Sequence, residues 1–242
     1  MFKFLKKIMI DKDSISAKEK NFLHRILNTD IKEESKYQED SIIFGCGCFW
    51  GAEKCFWKLP GVITTSVGYA GGEKKNPSYY EVCSGITGHA EVVKVVWNVN
   101  KIDISDLLKM FWECHNPTQK NRQGNDIGTQ YRSAIYYMNN TNKETIYSSK
   151  DFYQKELKTN NFGLIQTEIK MIESYFYAEE YHQQYLAVEG SRQYCSANPT
   201  KVKLGSFDGS NYKLPKEIWE NFNWDIDKCV LRSNNKVIEI NN

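Results

Sequence analysis

The chain has 242 residues, and its 32 Lys and Arg against 30 Asp and Glu leave a net charge of +2. A balance this close supplies no field to gather nucleic acid or an anionic membrane, and no apolar run approaches the length of a membrane span. Seven scattered cysteines, at 46, 48, 55, 83, 114, 195 and 229, form no dense disulfide framework and suit a reducing compartment, so we expect a cytoplasmic protein with thiols that pair at most transiently.

Residues 1–40 are rich in Lys, Glu and Asp and read as an N-terminal extension, part helical. Its basic start is broken by Lys6 and Lys7, too early for a secretory signal, although organelle targeting stays open. Organised sequence begins at residue 41. Ile42, Ile43 and Phe44 predict a short buried strand. Gly45-Cys46-Gly47-Cys48-Phe49-Trp50-Gly51 then turns into a helix marked by Ala52, Glu53, Phe56, Trp57 and Leu59. Pro60-Gly61 closes that helix, and residues 62–69 read as a strand ending at Gly71-Gly72. Asn76 as N-cap with Pro77 at the first helical position predicts a short helix through Cys83.

Residues 90–97 are the clearest strand, dense in β-branched side chains. Residues 104–114 form a helix with Leu107, Leu108 and Phe111 on one face, followed by a polar loop over 116–129. Another strand is expected at 131–138, a helix opened by a Thr141-x-x-Glu144 capping box, a strand at 165–172 and a helix at 178–188. Strands and helices alternate without a strict repeat, which predicts an α/β (α+β) two-layer sandwich on a mixed sheet. We divide the chain into the extension 1–40, a domain 41–198 and a tail 199–242. Trp219, Phe222 and Trp224 in the tail require packing against the body.

Several residues are placed for chemistry. Cys48 sits where a strand turns into a helix, so unpaired helix N–H groups and the positive end of the dipole favour its thiolate. Phe49 and Trp50 beside it could wall an apolar pocket; two small buried cysteines in a tight turn are the structural alternative. Alternation along the strand puts Glu91 on one face with Val93, Val95 and Trp97, where desolvation would raise its pKa and keep it a neutral acid. Tyr79 and Tyr131 lie at element margins, suited to donating hydrogen bonds to a developing oxyanion. The amides of residues 121–130 could hold a polar substrate backbone or order another loop. His182 is expected on a helix, and Cys195 lies in turn-rich sequence from which it could reach a distant partner. The cysteines and histidines lack the spacing of a zinc site, so no metal and no other cofactor is expected.

These segments together resemble the class A peptide methionine sulfoxide reductases. The matches run in order from about residue 42 to 195. They include Gly47-Cys48-Phe49-Trp50-Gly51, Leu59-Pro60-Gly61-Val62, Gly68-Tyr69-Ala70-Gly71-Gly72 and Thr87-Gly88-His89-Ala90-Glu91. Further along lie Arg122-Gln123-Gly124-Asn125-Asp126, Gly128-Thr129-Gln130-Tyr131-Arg132-Ser133 and the run from Ala178 to Leu186.

The resemblance implies a ferredoxin-like core and reduction of methionine S-sulfoxide, protein-bound or free, in protein repair after oxidative stress. It implies Cys48 as nucleophile, Glu91 as acid, and Tyr79 and Tyr131 as donors to the sulfoxide oxygen. Phe49 and Trp50 would hold the substrate methyl group, while Asp126, His182, Tyr185 and Tyr194 would shape the site. It further implies that a Cys48 sulfenic acid is resolved by Cys195 and that thioredoxin, or a similar dithiol, reduces the disulfide. No nucleic acid, membrane or second subunit is expected as a partner.

Two features depart from the family pattern. Residues 196–208 hold no recycling cysteine, so either thioredoxin acts directly or the remote Cys229 relays. We expect direct action, with Cys229→Ser lowering thioredoxin-dependent turnover by less than about tenfold, or 1.4 kcal/mol in barrier. Cys46 stands two residues before the nucleophile, where a disulfide to Cys48 would close a strained ring, and we expect a buried bystander. A binding protein without turnover, or a thiol peroxidase, would use the same motif but fail to reduce the sulfoxide.

Overall fold

The computed structural model describes residues 22–32, 36–226 and 229–240, apart from the side chain of Cys229. The basic start of the chain, with its targeting reading, and the cysteine at the head of the tail's last helical turn therefore lie outside what is described.

Strand β1 (Glu39–Cys46) forms the middle of a six-stranded sheet. It pairs antiparallel with β3 (Ala90–Asn98) on one side and β6 (Ser133–Tyr137) on the other. β3 continues to β2 (Val62–Ala70), which carries the short β8 (Tyr175–Tyr177) at its outer edge. At the opposite edge β7 (Glu168–Met171) lies parallel to β6, the one parallel pair among the described residues, reached through helix α4 (Lys143–Thr159). A two-residue hairpin, β4 (Arg122–Gln123) with β5 (Asp126–Ile127), stands apart inside the polar loop.

Alternation decides which face each strand residue occupies. Ile42, Phe44 and Cys46 of β1 share the main core with Val93, Val95 and Trp97 of β3 and with the helices. Ile43, Val92 and Tyr136 point to a smaller cluster on the other face. Helix α1 (Phe49–Trp57) and helix α3 (Ile104–Cys114) cover the main-core face. There Phe44 stacks on Phe56 at 4.9 Å and on Phe111 at 5.1 Å. Each such ring, fully withdrawn from water, stabilises the fold by roughly 1.5–3 kcal/mol.

The tail runs across the back of α1. Leu214, Ile218, Phe222, Trp224 and Val230 join the main core. Trp57 Nε1 donates to Asn235 O, while the ammonium groups of Lys54 and Lys58 donate to Ser233 O and Asn234 O. The piece of the extension at residues 22–32 also meets the body, with buried His24 hydrogen-bonded to Thr65 at 2.8 Å.

Five expected elements differ in form, the strand expected at 165–172 being confined to Glu168–Met171. The short helix before Cys83, α2 (Tyr79–Cys83), starts at Ser78 rather than Asn76, because the Glu81 carboxylate accepts from both the amide and the hydroxyl of Ser78. Helix α4 is capped by Asn142 rather than Thr141. The strand expected at 131–138 begins at Ser133, with Tyr131 in a preceding 3-10 turn.

The helix expected at 178–188 is two separate 3-10 turns, Glu180–His182 and Tyr185–Ala187. The physical reason lies in the intervening glutamines. Gln183 bonds both the N–H and the C=O of Val67 on β2, as a neighbouring strand would. Gln184, held in the left-handed region at φ 48°, gives its amide and side chain to the buried Glu53 carboxylate. Those tertiary bonds replace the i→i−4 ladder that the polar-apolar pattern suggested.

Candidate active site

β1 ends at Cys46, and Gly47 turns the chain at φ 89°, a region that favours glycine. A Cβ at Gly47 would also meet Gln123 Cβ at 2.5 Å. This turn delivers Cys48 to the N-cap position of α1. The following amide, Phe49 N–H, donates to Glu91 Oε2 at 3.2 Å across 42 residues of sequence. Cys48 and the Glu91 carboxyl are thus brought together because α1 packs against β2 and β3.

A cavity of about 250 Å³ opens at this point. Cys48, Phe49, Trp50 and Glu91 line it together with Tyr79, Tyr131 and Asp126. Tyr194 completes the rim, its hydroxyl donating to Asp126 Oδ1. Eight of the sequence-predicted site residues are therefore brought to one cavity.

His182 and Tyr185 are not among the lining residues; they stand behind Trp50. The indole Nε1 donates to His182 Nδ1 at 3.1 Å, and Tyr185 stacks on the indole at 3.9 Å. Cys195 is also outside the cavity. It is buried against Gly51 of α1, where an added Cβ would lie 2.6 Å from its Sγ.

Two contributors were not among the expected site residues. Arg192 lines the cavity with its guanidinium 5.2 Å from the Tyr194 ring. Glu179 positions Tyr79 by accepting its amide at 2.9 Å, while its other oxygen accepts from the Tyr69 hydroxyl. Neither stands at a spacing that marks it out. The amide loop does order another loop: Gln123 Oε1 accepts from Asn116 N and Asn198 N and so ties the hairpin to the segment after Cys195.

Burial sets the electrostatics. Glu91 is 2% exposed, and loss of water pushes its carboxyl up to about 8, with Asp126 adding to the rise. It is a neutral acid at pH 7. The expectation of a thiolate at Cys48 needs correction: burial, then the nearby Glu91 charge, raise its thiol well above the ordinary value. The helix start does act, through a Trp50 N–H bond to the sulfur that lowers the pKa, but it is outweighed. When Glu91 holds its proton, its part of that penalty vanishes. Burial also raises the Tyr79 and Tyr131 phenols, so both remain hydrogen-bond donors. The site thus offers one thiol, one neutral carboxylic acid and two phenols around a small space.

Comparison with known proteins agrees in kind. A family model described as peptide methionine sulfoxide reductase matches residues 40–212. The chain is 46% identical over 202 residues to the peptide methionine sulfoxide reductase MsrA of Vibrio vulnificus, covering 81% of this chain and 96% of that protein. Among solved structures it is similar to methionine sulfoxide reductase A of Corynebacterium diphtheriae, with TM-score 0.64 and 39% identity over 75% of this chain and 88% of that one. It is also similar to reduced Mxr1 of Saccharomyces cerevisiae, with TM-score 0.62 and 33% identity over 72% of this chain and 96% of that one.

Proposed function

Because the chain belongs to the peptide methionine sulfoxide reductase family and is an oxidoreductase acting on methionine sulfoxide, we propose that Cys48 and Glu91 carry the reaction in the cavity between them. The observation that carries this reading is the buried, neutral Glu91 held by the amide next to Cys48. A sulfoxide oxygen leaves sulfur only when protonated, so an acid and a nucleophile must reach one small group together.

Cys48 Sγ attacks the substrate sulfur while Glu91 protonates the oxygen and Tyr79 and Tyr131 donate to it. The oxygen ends on Cys48 as a sulfenic acid, methionine departs, and the Cys48 proton restores Glu91. Phe49 and Trp50 seat the methyl group, which selects the S epimer. Asp126 and Tyr194 hold the substrate backbone, while His182 and Tyr185 act one layer back by fixing the Trp50 ring. Cys195 then attacks the sulfenic acid, expelling water and leaving a Cys48–Cys195 disulfide. Thioredoxin or a similar dithiol returns both thiols.

The same reading treats residues 41–198 as the catalytic unit of a monomer, with 1–40 and 199–242 as extensions. The strand order β6-β1-β3-β2, all antiparallel, with α1 and α3 as crossovers, supports a ferredoxin-like core within a two-layer sandwich. No described helix is long and apolar enough to cross a membrane.

The test is a single turnover of the pre-reduced protein with separated S and R sulfoxides. Methionine from the S epimer alone is expected, and no product from either would defeat the reading. The resolving step has its own test in Gly51→Ala, whose methyl group would collide with Cys195 Sγ. The rate of methionine formation should stay close to wild type, while disulfide formation, followed by thiol titration, slows by about 10²-fold from the displaced sulfur.

A further inference from the structure

A second cavity, of about 210 Å³, lies behind α1 and is lined by four cysteines: Cys46, Cys55, Cys114 and Cys195. All four side chains are buried, and all are thiols. Gly51 and Ala52 of α1 form one wall, and Trp224 and Val230 of the tail form another. Cys195 therefore lines the same cavity as the other three thiols.

Cys114 is the junction. Its sulfur lies within 4.8 Å of that of Cys46. Cys46, Cys55 and Cys195 all stand near enough to influence its thiol, whose pKa is raised chiefly by Cys46, and its S–H reaches Phe111 O at 3.5 Å. His115 is the third group near Cys46 and Cys114, but both its ring nitrogens are committed, Nδ1 to Phe111 O and Nε2 to Ser133 Oγ, each at 2.7 Å. A metal would lack that ligand, so the arrangement suits thiol exchange rather than chelation.

We propose that Cys46 and Cys114 are a reserve dithiol that takes over the disulfide from Cys48 and Cys195, arming the enzyme for a second turnover before any external reductant arrives. Cys114 Sγ attacks Cys195 Sγ, the Cys195–Cys48 bond breaks, and Cys48 leaves with the electron pair and takes up the proton that Cys114 gives up. Cys46 Sγ then attacks Cys114 Sγ in the same way, releasing Cys195 as a thiol. One dithiol is oxidised and one disulfide is reduced, so nothing from outside is consumed. The assignment of Cys46 as a bystander is thereby replaced. The proposal rests on the Cys48 and Cys195 chemistry set out above.

The experiment uses Cys229→Ser protein, which removes the tail thiol from the count. It is fully reduced, freed of reductant and mixed with excess S-sulfoxide; methionine is counted at completion and disulfides are mapped by mass spectrometry. About two methionines per chain are expected, with Cys48–Cys195 and Cys46–Cys114 disulfides. Adding Cys114→Ser should lower the yield to about one, with the Cys48–Cys195 disulfide alone, whereas adding Cys46→Ser stops the relay after its first exchange and should leave a Cys114–Cys195 disulfide in place of Cys46–Cys114.

A yield near one from the parent, with Cys46 and Cys114 still thiols, overturns the reserve. A yield unchanged by Cys114→Ser overturns it too. No methionine, or methionine without a Cys48–Cys195 disulfide, points instead to failure of the underlying reading. Should a substituted protein not fold, the disulfides mapped in the parent separate the same outcomes: a Cys46–Cys114 bond supports the reserve, and its absence overturns it.

Discussion

Cys48→Ser is expected to reduce methionine formation from the S-sulfoxide by about 10⁴-fold or more, the scale of losing a covalent nucleophile outright. Serine keeps the N-cap position and can still accept the Trp50 amide, so the fold should survive. What disappears is the polarisable sulfur. Burial already raises the Cys48 thiol well above its ordinary value, and a hydroxyl in the same place ionises far less readily. Single-turnover methionine release, with near-ultraviolet circular dichroism to confirm folding, measures this. A folded Cys48→Ser protein that still produced methionine at a tenth of the wild-type rate would remove Cys48 from the mechanism.

Glu91→Gln should cost about 10²–10⁴-fold, the usual range for a positioned general acid. The amide oxygen of glutamine can still accept from Phe49 N–H, so position is retained while the transferable proton is lost. The pH dependence gives a sharper test. The active form carries the proton on Glu91, and burial places that pKa at about 8. The Glu91 factor in the wild-type rate therefore holds below that value and falls as pH rises through it. Cys48 contributes in the opposite sense: its pKa is raised, so its thiolate fraction climbs with pH. The wild-type rate should therefore climb with pH below about 8 and level off above it, whereas in Glu91→Gln the climb should continue. Single-turnover rates across this range decide it, and a levelling-off that persists in the variant would assign that pKa to another group.

Parts of this site could be read locally and parts could not. The strand–Cys48–helix turn is visible as a change from a strand pattern to helical spacing around Gly47. The orientation of Glu91 followed from alternation alone, since a residue two before Val93 shares its face, and Val93 is in the main core. The tyrosines were ambiguous one at a time: with 15 in the chain, nothing in composition separates Tyr79 and Tyr131 from the rest. Helical spacing at 178–188 misled because Gln183 and Gln184 bond to β2 and to Glu53, partners more than a hundred residues away. Glu179 acts through Tyr79 and Tyr69, about a hundred residues away, and Arg192 reaches the cavity only because the segment carrying it folds back over the site.

What the sequence determined by itself was the set of short-range geometries: which residues share a strand face, that a strand turns into a helix at Cys48, and which side chains have the chemistry of nucleophile, acid or donor. Those follow from periods of two and 3.6 residues and from side-chain chemistry, which need no partner. Tertiary structure alone decided how dry each group is and who its neighbours are. The raised acid at Glu91, the suppressed thiolate at Cys48 and the gathering of Cys46, Cys55, Cys114 and Cys195 in one cavity all depend on sheet order and on the tail closing over α1. Desolvation is a sum over atoms brought close from distant points in the chain, and no local pattern encodes that sum.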